Sequence, residues 1–294
     1  MNRIRKNSPK AWFLAARAKT LTGAASPVIL AIATAWALSE EVAWIPAVLC
    51  ILFALTMQVD ANFVNDYLDF QRGIDKEDRL GPERACSQGW IELHQMKKGI
   101  FLTTLVACLV GLPLIYWGGW AMVLIGLTCV IFCFLYTTSL ARLGLGDILV
   151  LVFFGLIPVC TTFYLMTGKL NSEIIAYSIA MGLVTDNLLI VNNYRDREAD
   201  AKVGKKTLVV IIGEKATDLY LFLGILATAI VLFIFITEGA WWRGLLMLPF
   251  LYFHFKNHLS MVRINHGREL NKVLGSTSAA IFLFAISVAI ARLL

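Results

Sequence analysis

Charged and polar residues bunch along this chain, and long stretches between the bunches carry almost no charge. Nine apolar runs stand out, at residues 21–38, 44–64, 100–116, 120–139, 148–166, 174–191, 219–236, 244–255 and 277–291. An α-helix rises about 1.5 Å per residue and the bilayer core is about 30 Å thick, so runs near 20 apolar residues span it. The eighth run is the short one. The pattern predicts an all-α polytopic membrane bundle of about nine transmembrane helices, forming one domain over residues 1–294.

Composition agrees, at 59% apolar and 16% charged residues with a mean hydropathy of +0.73. A soluble chain carries about a quarter charged residues. The basic residues also sort by side. With nine crossings, all of the 26 Lys and Arg except Lys169, Arg243 and Arg292 fall on one face. Cytoplasmic loops collect basic residues, so the N-terminus is expected in the cytoplasm and the C-terminus outside the cell (inner) membrane. The net charge of +6 follows from this asymmetry and gives no reason to expect nucleic acid as a partner. The first twenty residues are basic and mixed, without the short apolar run of a cleaved leader. The six cysteines lie mostly inside apolar runs, Cys86 alone in a polar loop, and imply no disulfide framework.

The chemistry gathers where the second and sixth runs end. Asn62, Asn65, Asp66 and Asp69 are three to four residues apart, on one face of a continued helix, and Asn192, Asn193, Asp196 and Asp200 repeat the arrangement. Arg72, Lys76, Arg79 and Arg84 follow the first cluster; Lys202, Lys205 and Lys206 follow the second. Hard oxygen ligands suit Mg²⁺, which bridges protein carboxylates to substrate phosphates, while Arg and Lys receive phosphate oxygens. An even number of crossings separates the clusters, so they can converge on one site. Carboxylates brought together there would repel without cations between them.

At these residues the sequence resembles the UbiA superfamily of membrane prenyltransferases, over nearly the whole chain. It is most similar to the 1,4-dihydroxy-2-naphthoate polyprenyltransferase branch. The matching stretches are Asn65-Asp66-Tyr67-Leu68-Asp69, Gly73-Ile74-Asp75, Asp78-Arg79-Leu80-Gly81-Pro82-Glu83-Arg84, Gly144-Leu145-Gly146-Asp147, Asn192-Asn193-Tyr194-Arg195-Asp196 and Gly204-Lys205-Lys206-Thr207-Leu208. Gly73 stands where the wider superfamily has a third aspartate, with Asp75 two residues on.

The resemblance implies transfer of a polyprenyl group from its diphosphate to the naphthoate, with loss of CO₂ and diphosphate, giving a demethylmenaquinone. It also implies Asp66, Asp69, Asp196 and Asp200 as catalytic Mg²⁺ ligands. Asn62, Asn65, Arg72, Lys76, Arg79, Arg84, Tyr136, Asp147, Asn192, Asn193 and Lys205 would then contact substrate. The resulting allylic cation needs shielding from water, for which Phe63, Tyr67, Phe70, Tyr136 and Tyr194 are candidates. His254 and His258 read as an interfacial pair, and residues 267–272 match the branch without an assigned chemistry. Two alternatives stay open: another acceptor such as 4-hydroxybenzoate, and a secondary transporter using the aspartates for ion coupling.

Overall fold

A computed structural model of the chain describes residues 4–39, 41–73, 79–138 and 143–294. Lys76, Asp75 and Asp78 lie outside the described residues. Helix α1, Pro9–Ala16, starts with Pro at its first position and the Ser8 hydroxyl accepting the Ala11 N–H at 3.3 Å. It ends at Arg17, which adopts a left-handed φ of 51° and turns the chain into α2, Ala18–Leu38. Then come α3, Trp44–Gln71; α4, Leu93–Gly111; α5, Ile115–Gly118; and α6, Ala121–Thr138. Helices α7, Gly146–Leu151, and α8, Ile157–Thr167, form one rod interrupted by a π-turn at Val152–Leu156. Next are α9, Ser172–Lys202, α10, Leu208–Ile212, and α11, Ala216–Thr237; α12, Leu248–Ile264, and α13, Leu270–Leu293, close the bundle. No strand occurs among the described residues.

Seven of these rods are long and apolar enough to cross a membrane. The two expected runs that fall short are the fourth, where the apolar helix is Ala121–Tyr136, and the eighth, where α12 has 17 residues and carries Lys256 and Arg263. Helix α9 runs through the middle: 67% of its apolar window is buried, against 17% for the peripheral α4. It packs along α11 and α13, while α13 lies against α2 and α3 against α4. Helices α3 and α9 therefore deliver their polar ends to one end of the bundle.

Polar knots hold the rods together inside. The Asp60 carboxylate on α3 accepts the Thr103 and Thr104 hydroxyls of α4. At the far end the buried Arg292 guanidinium donates to both Glu238 oxygens at 2.6 and 2.7 Å and stands 3.0 Å from Glu173. Arg243 also reaches Glu238, at 3.6 Å. Two of the three basic residues on the sparsely charged face are thus neutralised by carboxylates.

Candidate active site

The four aspartates of the two clusters take different partners. Asp66 is fully buried, and its Oδ2 and Oδ1 accept the backbone N–H groups of Ala85 at 2.8 Å and Cys86 at 3.2 Å. It thereby anchors the loop that follows α3. One turn on, Asp69 Oδ2 meets Arg84 Nη2 at 2.9 Å. On α9, Arg195 grips Asp196 with a two-pronged contact, Nε to Oδ1 at 2.9 Å and Nη2 to Oδ2 at 2.5 Å. Asp200 Oδ2 pairs with Lys205 Nζ at 2.9 Å.

A strap of chain, residues 79–88, joins the two clusters. Asn271 at the start of α13 donates to the Leu80 carbonyl at 2.7 Å and accepts from Arg195 Nη1 at 2.8 Å. Arg268 donates to the Arg79 carbonyl at 3.3 Å. Gly81 passes so close to Arg195 that a Cβ there would lie 2.9 Å from Nη2, so only glycine fits without displacing the guanidinium. Asp66 pins the other end. The stretch 267–272, which carried no chemistry in the sequence, supplies part of this fastening.

Beneath the strap lies a cavity of about 670 Å³. Its polar end is lined by Arg17, Asn62, Asn65, Arg79, Arg84, Tyr136 and Asn192, and the remainder by apolar groups including Phe53, Met57, Leu112, Phe153 and Ile157. Asn62 is turned toward the α1–α2 junction, donating to the Ala16 carbonyl and the Thr20 hydroxyl, both at 2.9 Å. Asn65 leaves its Oδ1 buried without a hydrogen-bond partner. Asn192 Oδ1 accepts from Arg195 Nη2 at 2.8 Å. Asn193 is buried in α9, Arg72 is exposed at the end of α3, and Asp147 sits in the first turn of α7. None of the four aspartates is among the described residues that line the cavity, whose polar lining consists of guanidiniums, amides and a few hydroxyls.

Arg17 was not among the residues singled out by sequence. Its Nη2 is buried without a hydrogen-bond partner, and the group lies within charge range of Arg84, Arg79, Asp66 and Asp69. Burial first, and then Arg84, push its pKa down to about 9. An anion in the cavity would reverse that shift. In the sequence Arg17 reads as one more basic residue before a membrane span, because nothing local announces the left-handed turn that tucks it inside.

Asp69, Asp196 and Asp200 offer hard oxygen donors, joined by the free Asn65 Oδ1. A carboxylate has about four lone-pair directions, so oxygens already paired with a cation can also take a metal. Among the described residues no three His, Cys, Asp or Glu side chains already form a cage. Mg²⁺ does not require one, since it is commonly held by one or two carboxylates together with substrate phosphates. The donor set fits that mode.

A model of the UbiA prenyltransferase family matches residues 24–290. The chain belongs to the UbiA prenyltransferase family. Among its relatives is the 1,4-dihydroxy-2-naphthoate octaprenyltransferase of Haemophilus influenzae, 36% identical over 81% of this chain and 82% of that one. The enzyme of the same name from Mycobacterium tuberculosis is 31% identical over 95% of both. Solved UbiA-family structures share the fold. A homologue from Archaeoglobus fulgidus bound to GPP and Mg²⁺ superposes with a TM-score of 0.64 at 14% identity, covering 95% of this chain and 99% of that one. Digeranylgeranylglyceryl phosphate synthase gives 0.63 at 18% identity, covering 96% and 98%.

Proposed function

We propose that this UbiA-family chain transfers a polyprenyl group from its diphosphate to 1,4-dihydroxy-2-naphthoate, releasing CO₂ and diphosphate and giving a demethylmenaquinol, which air then oxidises to the demethylmenaquinone. The observation that carries the reading is the two-part cavity, with cations and amides at one end, backed by two acidic clusters, and an apolar chamber at the other. A polyprenyl diphosphate has the same two parts. Similarity to naphthoate octaprenyltransferases supports the acceptor.

Arg17, Arg79 and Arg84 receive the diphosphate oxygens, and Asn65 and Asn192 orient them. Asp69, Asp196 and Asp200 would hold Mg²⁺, which when bound neutralises the leaving diphosphate and favours ionisation of the allylic C–O bond. The strap keeps Arg79 and Arg84 over the cavity mouth and limits water. Phe153 and Tyr136 line the walls, offering ring faces to positive charge that develops on the prenyl carbon. The tail lies in the apolar chamber. The basic end of the bundle faces the cytoplasm, which admits the water-soluble acceptor.

Membranes carrying the protein are incubated with Mg²⁺, an allylic prenyl diphosphate, and either the naphthoate or 4-hydroxybenzoate. Mass spectrometry of the lipid extract should find a prenylated naphthoquinone without the carboxyl group, absent when EDTA is added. Product from 4-hydroxybenzoate alone would overturn the acceptor assignment.

A further inference from the structure

Glycine inside a membrane helix usually lets a neighbouring helix come close. Gly155 and Gly182 do so: a Cβ on Gly155 would lie 2.5 Å from the Ser178 carbonyl oxygen and 2.8 Å from Gly182 Cα. Gly118 is packed in the same way, with Met122 and Leu165 at 2.5 and 2.8 Å from the place of its missing Cβ. Among the described residues, three glycines line the cavity: Gly23 on α2, Gly111 on α4 and Gly126 on α6. At Gly111 the Phe53 ring takes the space, 3.2 Å from where a Cβ would stand. At Gly23 and Gly126 no atom lies within 4 Å of that place.

The backbone does not ask for glycine at these two positions. Neither has a positive φ, and both sit inside a helix, where glycine is less stable than alanine. What glycine leaves there is room. On α6, Met122, Gly126, Cys129, Cys133 and Tyr136 recur at three- and four-residue steps and all line the cavity. Leu124, Ile131 and Leu135 cover the opposite face and are exposed, on the side toward lipid. The space beside Gly126 therefore belongs to the chamber.

The two open positions stand at different depths. Tyr136 is at the polar end of the cavity, and Gly126 is ten residues back along α6, about 15 Å deeper at the helical rise. Gly23 is six residues past Arg17 on α2, about 9 Å from the polar end.

We propose that Gly126 and Gly23 set the length of prenyl tail this chain accepts, Gly126 by keeping the deep part of the chamber open. The inference rests on the function proposed above. With the diphosphate held at the polar end, the first units of the tail pass Gly23, and only later units reach Gly126. A side chain at Gly126 would project into the space those later units fill, with no protein atom to displace. It would act on long tails and spare short ones. A side chain at Gly23, nearer the diphosphate, would act on both.

Purified wild type, Gly126→Leu, Gly126→Ala and Gly23→Leu are compared with the naphthoate as acceptor and geranyl, farnesyl, geranylgeranyl and solanesyl diphosphates as donors. One methylene in an apolar pocket is worth about 10–200-fold, so the four carbons of Gly126→Leu should cost at least about 100-fold in kcat/KM with the longest donor. With the shortest donor that wild type accepts, the loss should stay below about threefold, because that tail ends before the new side chain. Gly126→Ala should show the same trend more weakly. Gly23→Leu should lose about as much with the shortest donor as with the longest. Full turnover of the longest donor by Gly126→Leu would overturn the proposal, as would an equal loss at every length in a protein with the wild-type thermal midpoint. If Gly126→Leu does not fold, Gly126→Ala decides by the same comparison. No prenylated product from wild type with any donor would instead sink the function proposed above.

Discussion

At the residue scale, the two aspartates of the first cluster have different jobs. Asp66 spends its oxygens on two backbone N–H groups of the strap, whereas Asp69 faces a guanidinium. Asp66→Asn puts an amide against an N–H and should free the strap, seen as faster proteolysis within residues 79–88, with a loss in kcat/KM. Asp69→Asn should leave the strap protected and cut kcat by at least about 100-fold, the scale of a lost transition-state charge contact. Equal protease protection in the two variants would contradict this division. Sequence spacing placed the two on one face but could not separate them, because the partner of Asp66 is backbone 19 residues away. Arg17 adds a second residue-scale test. Arg17→Gln should raise KM for prenyl diphosphate about 10- to 100-fold, the worth of a charged hydrogen bond, and Arg17→Lys should fall between. An unchanged KM in Arg17→Gln would remove it from the diphosphate site.

Among elements, the strap and the start of α13 are coupled through Asn271, which holds Leu80 and Arg195 together. Asn271→Ala should lower kcat/KM about 10- to 100-fold, as supporting contacts of metal-linked residues typically do, with little change in thermal midpoint. A large fall in the midpoint with normal kinetics would make Asn271 a folding residue only. The apolar runs were legible as helices because bilayer length and hydropathy leave few alternatives. Hydropathy hid the long polar ends, which only the spacing of their Asn and Asp residues signalled. Helix α3 continues to Gln71 and α9 to Lys202, well past runs that close at 64 and 191 on hydropathy alone. The π-turn was hidden too, since its sequence is as apolar as the helix around it.

For the whole molecule, the sorting of basic residues follows from how the bundle is assembled. The acidic ends of α3 and α9 need cations nearby, and they find them in Arg84, Arg195 and Lys205. The opposite end is closed by Arg292 between Glu173 and Glu238. Arg292→Leu would strand two partly buried carboxylates and should cost up to about 3–5 kcal/mol, read as a lower unfolding midpoint in detergent at unchanged KM. A midpoint like that of wild type would show that this clamp is solvated rather than structural. Asp60 escaped the sequence reading because it sits singly inside an apolar run, where only the neighbours across the bundle reveal whether the carboxyl is satisfied.

The most direct test of two clusters acting on one diphosphate is Mg²⁺-dependent binding of a non-reactive prenyl thiolodiphosphate to the purified protein. It would be measured by calorimetry for wild type, Asp69→Asn, Asp196→Asn and the double variant. Binding should weaken in each single variant. The double variant should lose much less than the two single losses combined, because both aspartates serve one metal–diphosphate unit. Wild-type binding that is indifferent to Mg²⁺, or losses that simply add, would contradict it.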